Sequence, residues 1–364
     1  MNTLARQPWI YSAAVDGAWI LAPALLATIV ALTLVQAGHS DAGLPLWMWG
    51  LLIVGIDVAH VYSTIYRTYL DPAARARLSG WLVLTPVAGW VLGVLLYSWS
   101  AATFWTALAY LAVFHFIRQQ YGFLMIYSRR ERTLPKACAL VDQAAIYAAT
   151  LGPLLYWHTH LPRAFVWFID GDFMALPQWM WGIARPVYLT ILAAYLVKEG
   201  WLVVGRGQLN IPRNCVVIGT ALSWYVGIVV ANGDLIFTLT NVVAHGIPYM
   251  ALTFIFSRGE LQRGARLGLI ARVLPLAIAA LITLAFLEEG LWDGLIWREH
   301  LSLFPGFSRL PPIETNTLLT LIVPLLAVPQ LTHYVIDGVI WRLKSHPEWR
   351  KTLFWHSQSP VGSP

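Results

Sequence analysis

Apolar runs of about 20 residues, enough to cross a hydrocarbon core of ~30 Å, recur ten times between short polar breaks. They cover residues 18–37, 45–66, 81–99, 102–127, 139–158, 178–203, 213–231, 235–256, 269–288 and 317–342. The third and fourth runs are separated only by a tight turn at Ser98, Ser100 and Thr103. The pattern predicts an all-α polytopic transmembrane helix bundle of about ten spans, with residues 1–364 as a single integral membrane domain. The first run is longer than a signal-peptide core and has only Arg6 before it, so it reads as a retained helix.

Composition agrees with this pattern. The chain is 58% hydrophobic and 12% charged, with mean hydropathy +0.62, far from the roughly 25% charged residues of soluble domains. Its 19 Trp and 15 Tyr suit the two headgroup levels. The excess of 24 Lys and Arg over 18 Asp and Glu falls in short clusters between apolar runs, which indicates topology rather than nucleic-acid binding. Cys138 and Cys215, each beside an apolar run, read as buried inert thiols and exclude a disulfide scaffold or a thiolate metal cluster.

The loop charges test the count of ten. Odd-numbered loops are poor in Lys and Arg, such as His39 to Gly43, Ser98 to Ala101 and Asn232 to Asp234. The third carries Arg163 against Asp170 and Asp172, and the ninth has Glu288, Glu289, Asp293, Arg298, Glu299, Arg309 and Glu314. Even-numbered loops are basic: Arg67, Arg75 and Arg77; Arg129, Arg130, Arg132 and Lys136; Lys198 and Arg206 with Arg213; then Arg258, Arg263, Arg266 and Arg272. The tail adds Arg342, Lys344, Arg350 and Lys351. Because short cytoplasmic loops carry the positive excess, the alternation places both termini in the cytoplasm, as in an integral protein of a bacterial inner membrane.

An ionisable group within a span is costly and defaults to a functional role. His60, His115, His245 and His333 lie in the second, fourth, eighth and tenth spans, which all run in the same direction. Counting to the first basic residue at the cytoplasmic end gives 7, 14, 13 and 9 residues, roughly 10 to 21 Å of depth at ~1.5 Å per residue. Each histidine has a polar companion at helical spacing: Asp57 before His60, Gln119 after His115, Asn241 before His245 and Asp337 after His333. Such a companion can be a ligand or can fix the imidazole tautomer. Imidazole with carboxylate is a ligand set for iron, zinc or copper, and facing helices of a bundle build such sites.

The four histidines are therefore candidate metal ligands. Asp57 is a candidate ligand or orienting carboxylate, and Asp337, Gln119 and Asn241 are candidate outer partners. Arg118 is nearly mid-span and needs a buried acid, Asp57 or Asp337, or an anionic headgroup, and is with Asp57 a candidate catalytic residue. Tyr62, Tyr66, Tyr121, Tyr249 and Tyr334 fall at similar depths, with Tyr334 beside His333 the one assigned a catalytic role. The plainer reading stands beside this one. Single buried histidines often bond a carbonyl, and Asp57 with Arg118, or Asp337 with His115, could be structural pairs. His158 and His160 read as interfacial, and Glu288, Glu289 and Asp293 as a solvated loop.

The tenth-span segment, with His333, Tyr334, Asp337, Ile340, Trp341 and Arg342, resembles a group of bacterial polytopic proteins with an H-Y-x-x-D-x-x-I-W-R ending. The wider plan, one histidine on each of several spans with Asp57 three residues before His60, is similar to the Brp/Blh carotene dioxygenases. That resemblance implies iron held by intramembrane histidines. It stops at His245, which is followed by Gly246, Ile247, Pro248 and Tyr249 where that family has a second histidine.

These observations predict a membrane-embedded metalloenzyme, with non-haem iron in first place and another transition metal as an alternative. It would oxidise an apolar lipid or isoprenoid substrate taken from the bilayer, with an electron donor of unknown identity. A b-type haem protein ligated by two of the histidines is one alternative. A proton-coupled transporter using the His, Asp and Arg cluster is another, although the polar residues recur six spans apart in the same orientation rather than by inversion. Walker A, G-x-S-x-G, G-x-G-x-x-G and H-E-x-x-H sequences do not occur, which disfavours phosphate-loop, elbow-type hydrolase and zincin chemistry.

Overall fold

The computed structural model describes residues 7–131, 133–262 and 274–341. The loop and tail basic residues Arg132, Arg263, Arg266, Arg272, Arg342, Lys344, Arg350 and Lys351 lie outside these residues, as does the Arg258 side chain. Among the described residues the chain is all-helical, and ten helices are long and apolar enough to cross a membrane. They are α1 (Ala13–Gln36), α2 (Leu46–Arg67), α3 (Pro72–Trp99), α4 (Ala101–Tyr127), α5 (Lys136–Thr159), α6 (Trp179–Arg206), α7 (Ile211–Val230), α8 (Asp234–Gln262), α9 (Leu274–Trp297) and α10 (Asn316–Ile340). Every predicted run has its helix, and these ten apolar helices indicate an integral membrane protein.

Local signals set the ends. Asp71 accepts from Ala73 N at 2.9 Å and Ala74 N at 3.2 Å, and Pro72 occupies the first turn. This N-cap starts α3 nine residues before its apolar run. Gly207, at φ +61°, closes α6 in the left-handed conformation that glycine adopts without strain. Near its other end, α9 continues past Glu288 and Glu289 as far as Trp297, so these acids lie within a helix and not in a loop. Wider π-type turns interrupt the helices at Gly17–Leu21, Gly50–Val58, Tyr225–Val230 and Asp293–Trp297.

The chain forms two compact units, one from residues 1–44 and 116–248, the other from residues 45–115 and 249–364. Helices α4 and α8 change unit at Phe116 and Tyr249. In the first unit, Asp16 caps the chain entering α1 by accepting from Ile10, Tyr11 and Ser12 N, and Tyr127 Oη donates to it at 3.1 Å. Gly152 of α5 lets the Tyr188 ring of α6 approach the backbone, where a Cβ would meet the ring Cε2 at 2.8 Å. A buried ion network ties three helices together: Lys198 pairs with Asp142 and Glu199, and Arg213 pairs with Glu199, with Asp142 at 3.4 Å and with Glu131 at 2.6 Å. Burial pushes the Glu131 carboxyl up, and the Arg213 guanidinium opposes the shift. Cys138 is buried and Cys215 half-buried, both as free thiols.

The second unit has its core between α2 and α9, where Val54, Val58 and Tyr66 pack on Ala277, Leu281 and Phe304. A smaller core joins Leu78 and Leu82 of α3 to Ile336 and Ile340 of α10. The opposite face of α3 is exposed and apolar, as at Leu84 and Leu92, which is how a helix at a lipid boundary is built.

Candidate metal centre

Three of the predicted histidines meet in the second unit. The π-type stretch Gly50–Val58 of α2 ends directly before the regular turns that carry His60 and Thr64, and such irregular turns are frequent at functional sites. His60 is 1% exposed, with the Asp57 carboxylate 3.7 Å from its Nδ1. Helix α10 breaks at Ala327 after Pro324 and resumes at Val328. The restarted segment buries His333, Ile336 and Asp337 on one side.

A chain of hydrogen bonds fixes the His333 ring. Tyr249 Oη donates to Asp337 Oδ1 at 2.5 Å. A tyrosine hydroxyl has one proton, so at its 2.8 Å contact with Thr64 Oγ1 the threonine donates. Thr64 has then used its own proton and must accept from His333 Nδ1 at 2.6 Å. This order assigns the ring proton of His333 to Nδ1 and leaves a lone pair on Nε2, the role of an outer partner that aims a metal ligand.

His333 Nε2 stands 3.1 Å from His115 Nε2. A neutral His115 with its proton on Nε2 would donate to the His333 lone pair across this gap, and a cation between the two lone pairs would also suit it. Two nitrogens each about 2.0–2.1 Å from one ion and roughly 90–110° apart are separated by about 2.8 to 3.4 Å, so the gap fits adjacent positions on one metal. The His60 ring centroid lies 4.9 Å from that of His333, and the His115 centroid 4.6 Å from it. Asp337 Oδ2 is 3.9 Å from His115 Nε2 and Oδ1 is 3.7 Å from His333 Nδ1, so this carboxylate lies near two of the rings. Tyr334 tilts against His115 with centroids 5.1 Å apart.

His245 lies in the first unit. It is 1% exposed, its ring stacks on Phe116 at 3.6 Å, and its carbonyl accepts from Gln119 Nε2 at 2.9 Å. Gln119 therefore supports the His245 backbone, rather than the ring of His115 that its spacing suggested. Asn241 is buried and donates to the Phe237 carbonyl at 3.0 Å. Imidazoles buried as His60, His115, His245 and His333 are could hold a metal ion.

Arg118 differs from expectation. It lies on an exposed face, donates to Tyr147 Oη at 2.7 Å and rests over the Tyr121 ring. The predicted partners Asp57 and Asp337 are both engaged with histidines. His158, in the last turn of α5, is buried, with Nδ1 on the Leu154 carbonyl at 2.7 Å.

The sequence reading missed two parts of the site. Thr64, four residues after His60, is the link between His333 and Tyr249; its i+4 spacing was visible, but threonines are common in such helices. Glu288 and Glu289 are buried, with Tyr62 and Trp292 facing Glu288 and Asp57 within electrostatic reach. The apolar residues that resume after them, Leu291 to Trp297, were the available signal.

No protein-family model, curated protein or solved structure matches this chain. The fold and the buried imidazoles define its class: a ten-helix apolar protein with a candidate metal centre.

Proposed function

We propose that the protein is a membrane-embedded metalloenzyme that oxidises an apolar lipid or isoprenoid, with non-haem iron as its metal. His60, His115 and His333 would bind the ion, and His245, carried one turn before Tyr249 on α8, would complete the set. Asp57 would orient His60 or add a carboxylate ligand, and Asp337, through Tyr249 and Thr64, would hold His333. The observation that carries the reading is the opposed Nε2 pair of His115 and His333, with the His333 lone pair aimed inward. The imidazole and carboxylate donors favour a transition metal over magnesium or calcium. Axial ligands on opposite faces of a haem would stand about 4 Å apart for metal–nitrogen bonds near 2 Å, so the shorter gap favours a non-haem ion.

The metal, when bound, would supply oxygen activation; the protein's part is to orient the donors and exclude water from the site. Tyr334, which rests on His115, would contact the substrate. The alternation of basic loops supports a topology with both termini in the cytoplasm. The test is to purify the protein in mild detergent and measure bound metals by mass spectrometry with an absorption spectrum, beside a variant with all four histidines changed to alanine. Near-stoichiometric iron without haem bands, lost in the variant, is expected. A Soret band would replace the reading with a haem protein, and no metal in either sample after reconstitution would favour a transporter.

A further inference from the structure

The second unit contains a cavity of about 570 Å³ that no part of the candidate centre uses, lined by α3, α4 and α10. We infer that it binds one linear hydrocarbon chain of a membrane lipid and presents that chain beside the histidine centre. As the substrate site it rests on the metalloenzyme reading; as a chain-binding site it stands alone.

Shape is the first argument. On α3 the lining runs from Gly80 to Leu96 as two adjacent rows at steps of four residues, a stripe along one face of the helix. Sixteen residues at ~1.5 Å rise span about 24 Å, most of the ~30 Å hydrocarbon thickness. The space is a groove open on its outer side rather than an enclosed channel. A hydrocarbon chain, with carbon contacts near 4 Å, can lie along its length. Gly89 and Gly93 let Leu331, Pro324 and Phe104 pack close on the α3 backbone and form the floor of the groove.

Chemistry is the second. No charged residue lines the cavity, and Thr85 provides the sole hydroxyl among its lining residues. Water gains little in such a space. The rim residues Trp81, Leu84 and Leu92 are more than half exposed on a helix apolar enough to span the membrane, so acyl and isoprenoid chains are what the opening meets.

Position is the third. Leu111, in the lining, is one turn before His115 on the same helix face. Leu331 and Val335 share the face of α10 that lines the groove, and Tyr334, next to Val335, rests on the His115 ring. A chain seated against Leu111 lies within one helical turn of His115.

The test is photolabelling in phosphatidylcholine vesicles that contain a trace of phosphatidylcholine with a diazirine in one acyl chain. Crosslinked peptides are read by mass spectrometry for the wild type, Ala88→Trp and Ala107→Trp, which fill the groove from two helices, and Ala193→Trp on the exposed face of α6. Labelling concentrated on the peptides containing residues 84–96 and 104–111 is expected. Either groove-filling variant should reduce it to the level of exposed α6, and Ala193→Trp should leave it unchanged. Labelling no greater than on α6, or undiminished in a folded groove-filling variant, overturns the inference. Metal content is measured on the same samples. A labelled groove in protein that binds no metal would remove the catalytic reading and keep the lipid site, whereas bound metal with an unlabelled groove would do the reverse.

Discussion

Tyr249 and Asp337 meet at 2.5 Å, and the tyrosine also accepts from Thr64, so one buried hydroxyl connects a carboxylate to the far side of the His333 ring. Tyr249→Phe keeps the ring packing and removes that connection. Asp337 and Thr64 would each lose a buried partner, at a cost of about 1–3 kcal/mol in stability. Metal affinity should fall roughly 10- to 100-fold, the usual effect of losing an outer partner. A thermal melt in detergent with a metal titration would read both, and wild-type affinity in Tyr249→Phe would show that the hydroxyl does not position His333.

The opposed Nε2 atoms make a second prediction. If His115 and His333 share one ion, His115→Ala and His333→Ala should each abolish near-stoichiometric metal, and the double variant should lose no more than either alone. Metal-to-protein ratios on folded, monodisperse samples measure this. Retention of full metal by both single variants would mean that the short separation holds a proton.

In the first unit, Arg213 is fully buried against Glu131, Asp142 and Glu199. Arg213→Met strands buried carboxylates and should destabilise by about 3–5 kcal/mol. Adding Glu199→Met should recover part of that loss. Metal content per folded molecule should not change, since the network touches none of the candidate ligands, and a specific loss of metal would give the network a role in the site.

Gly152→Ala tests the approach of α5 to α6. The added methyl would press on the Tyr188 ring, and overpacking of this kind costs about 1–3 kcal/mol. The melting temperature should fall in Gly152→Ala and recover partly when Tyr188→Leu is added.

The helices were legible because their signal is hydrophobic length, which the bilayer dictates. Their ends were less so: α3 begins at an Asp71–Pro72 cap that an apolar count does not see, and α9 runs through two acids that were read as a loop. His60, His115 and His333, singled out by shared depth and direction, lie together in the second unit. The companions were harder, because spacing along one helix does not show which neighbour a side chain faces. Gln119 was expected to serve His115 and instead bonds the His245 carbonyl, and Arg118 was expected to meet an acid and meets Tyr147. The π-type turns before His60 have no sequence signature, since they widen a helix without changing its apolar pattern.

The candidate ligands are spread from residue 60 to residue 333, the last of them on the tenth helix. During synthesis at the ribosome, His60 and His115 enter the bilayer long before His333 exists, and the Thr64 and Tyr249 hydroxyls wait for the same final segment. Were these histidines to hold a metal, its loading would therefore be a late event in biogenesis, and a nascent chain stalled before α10 would lack His333 and the complete set of candidate ligands.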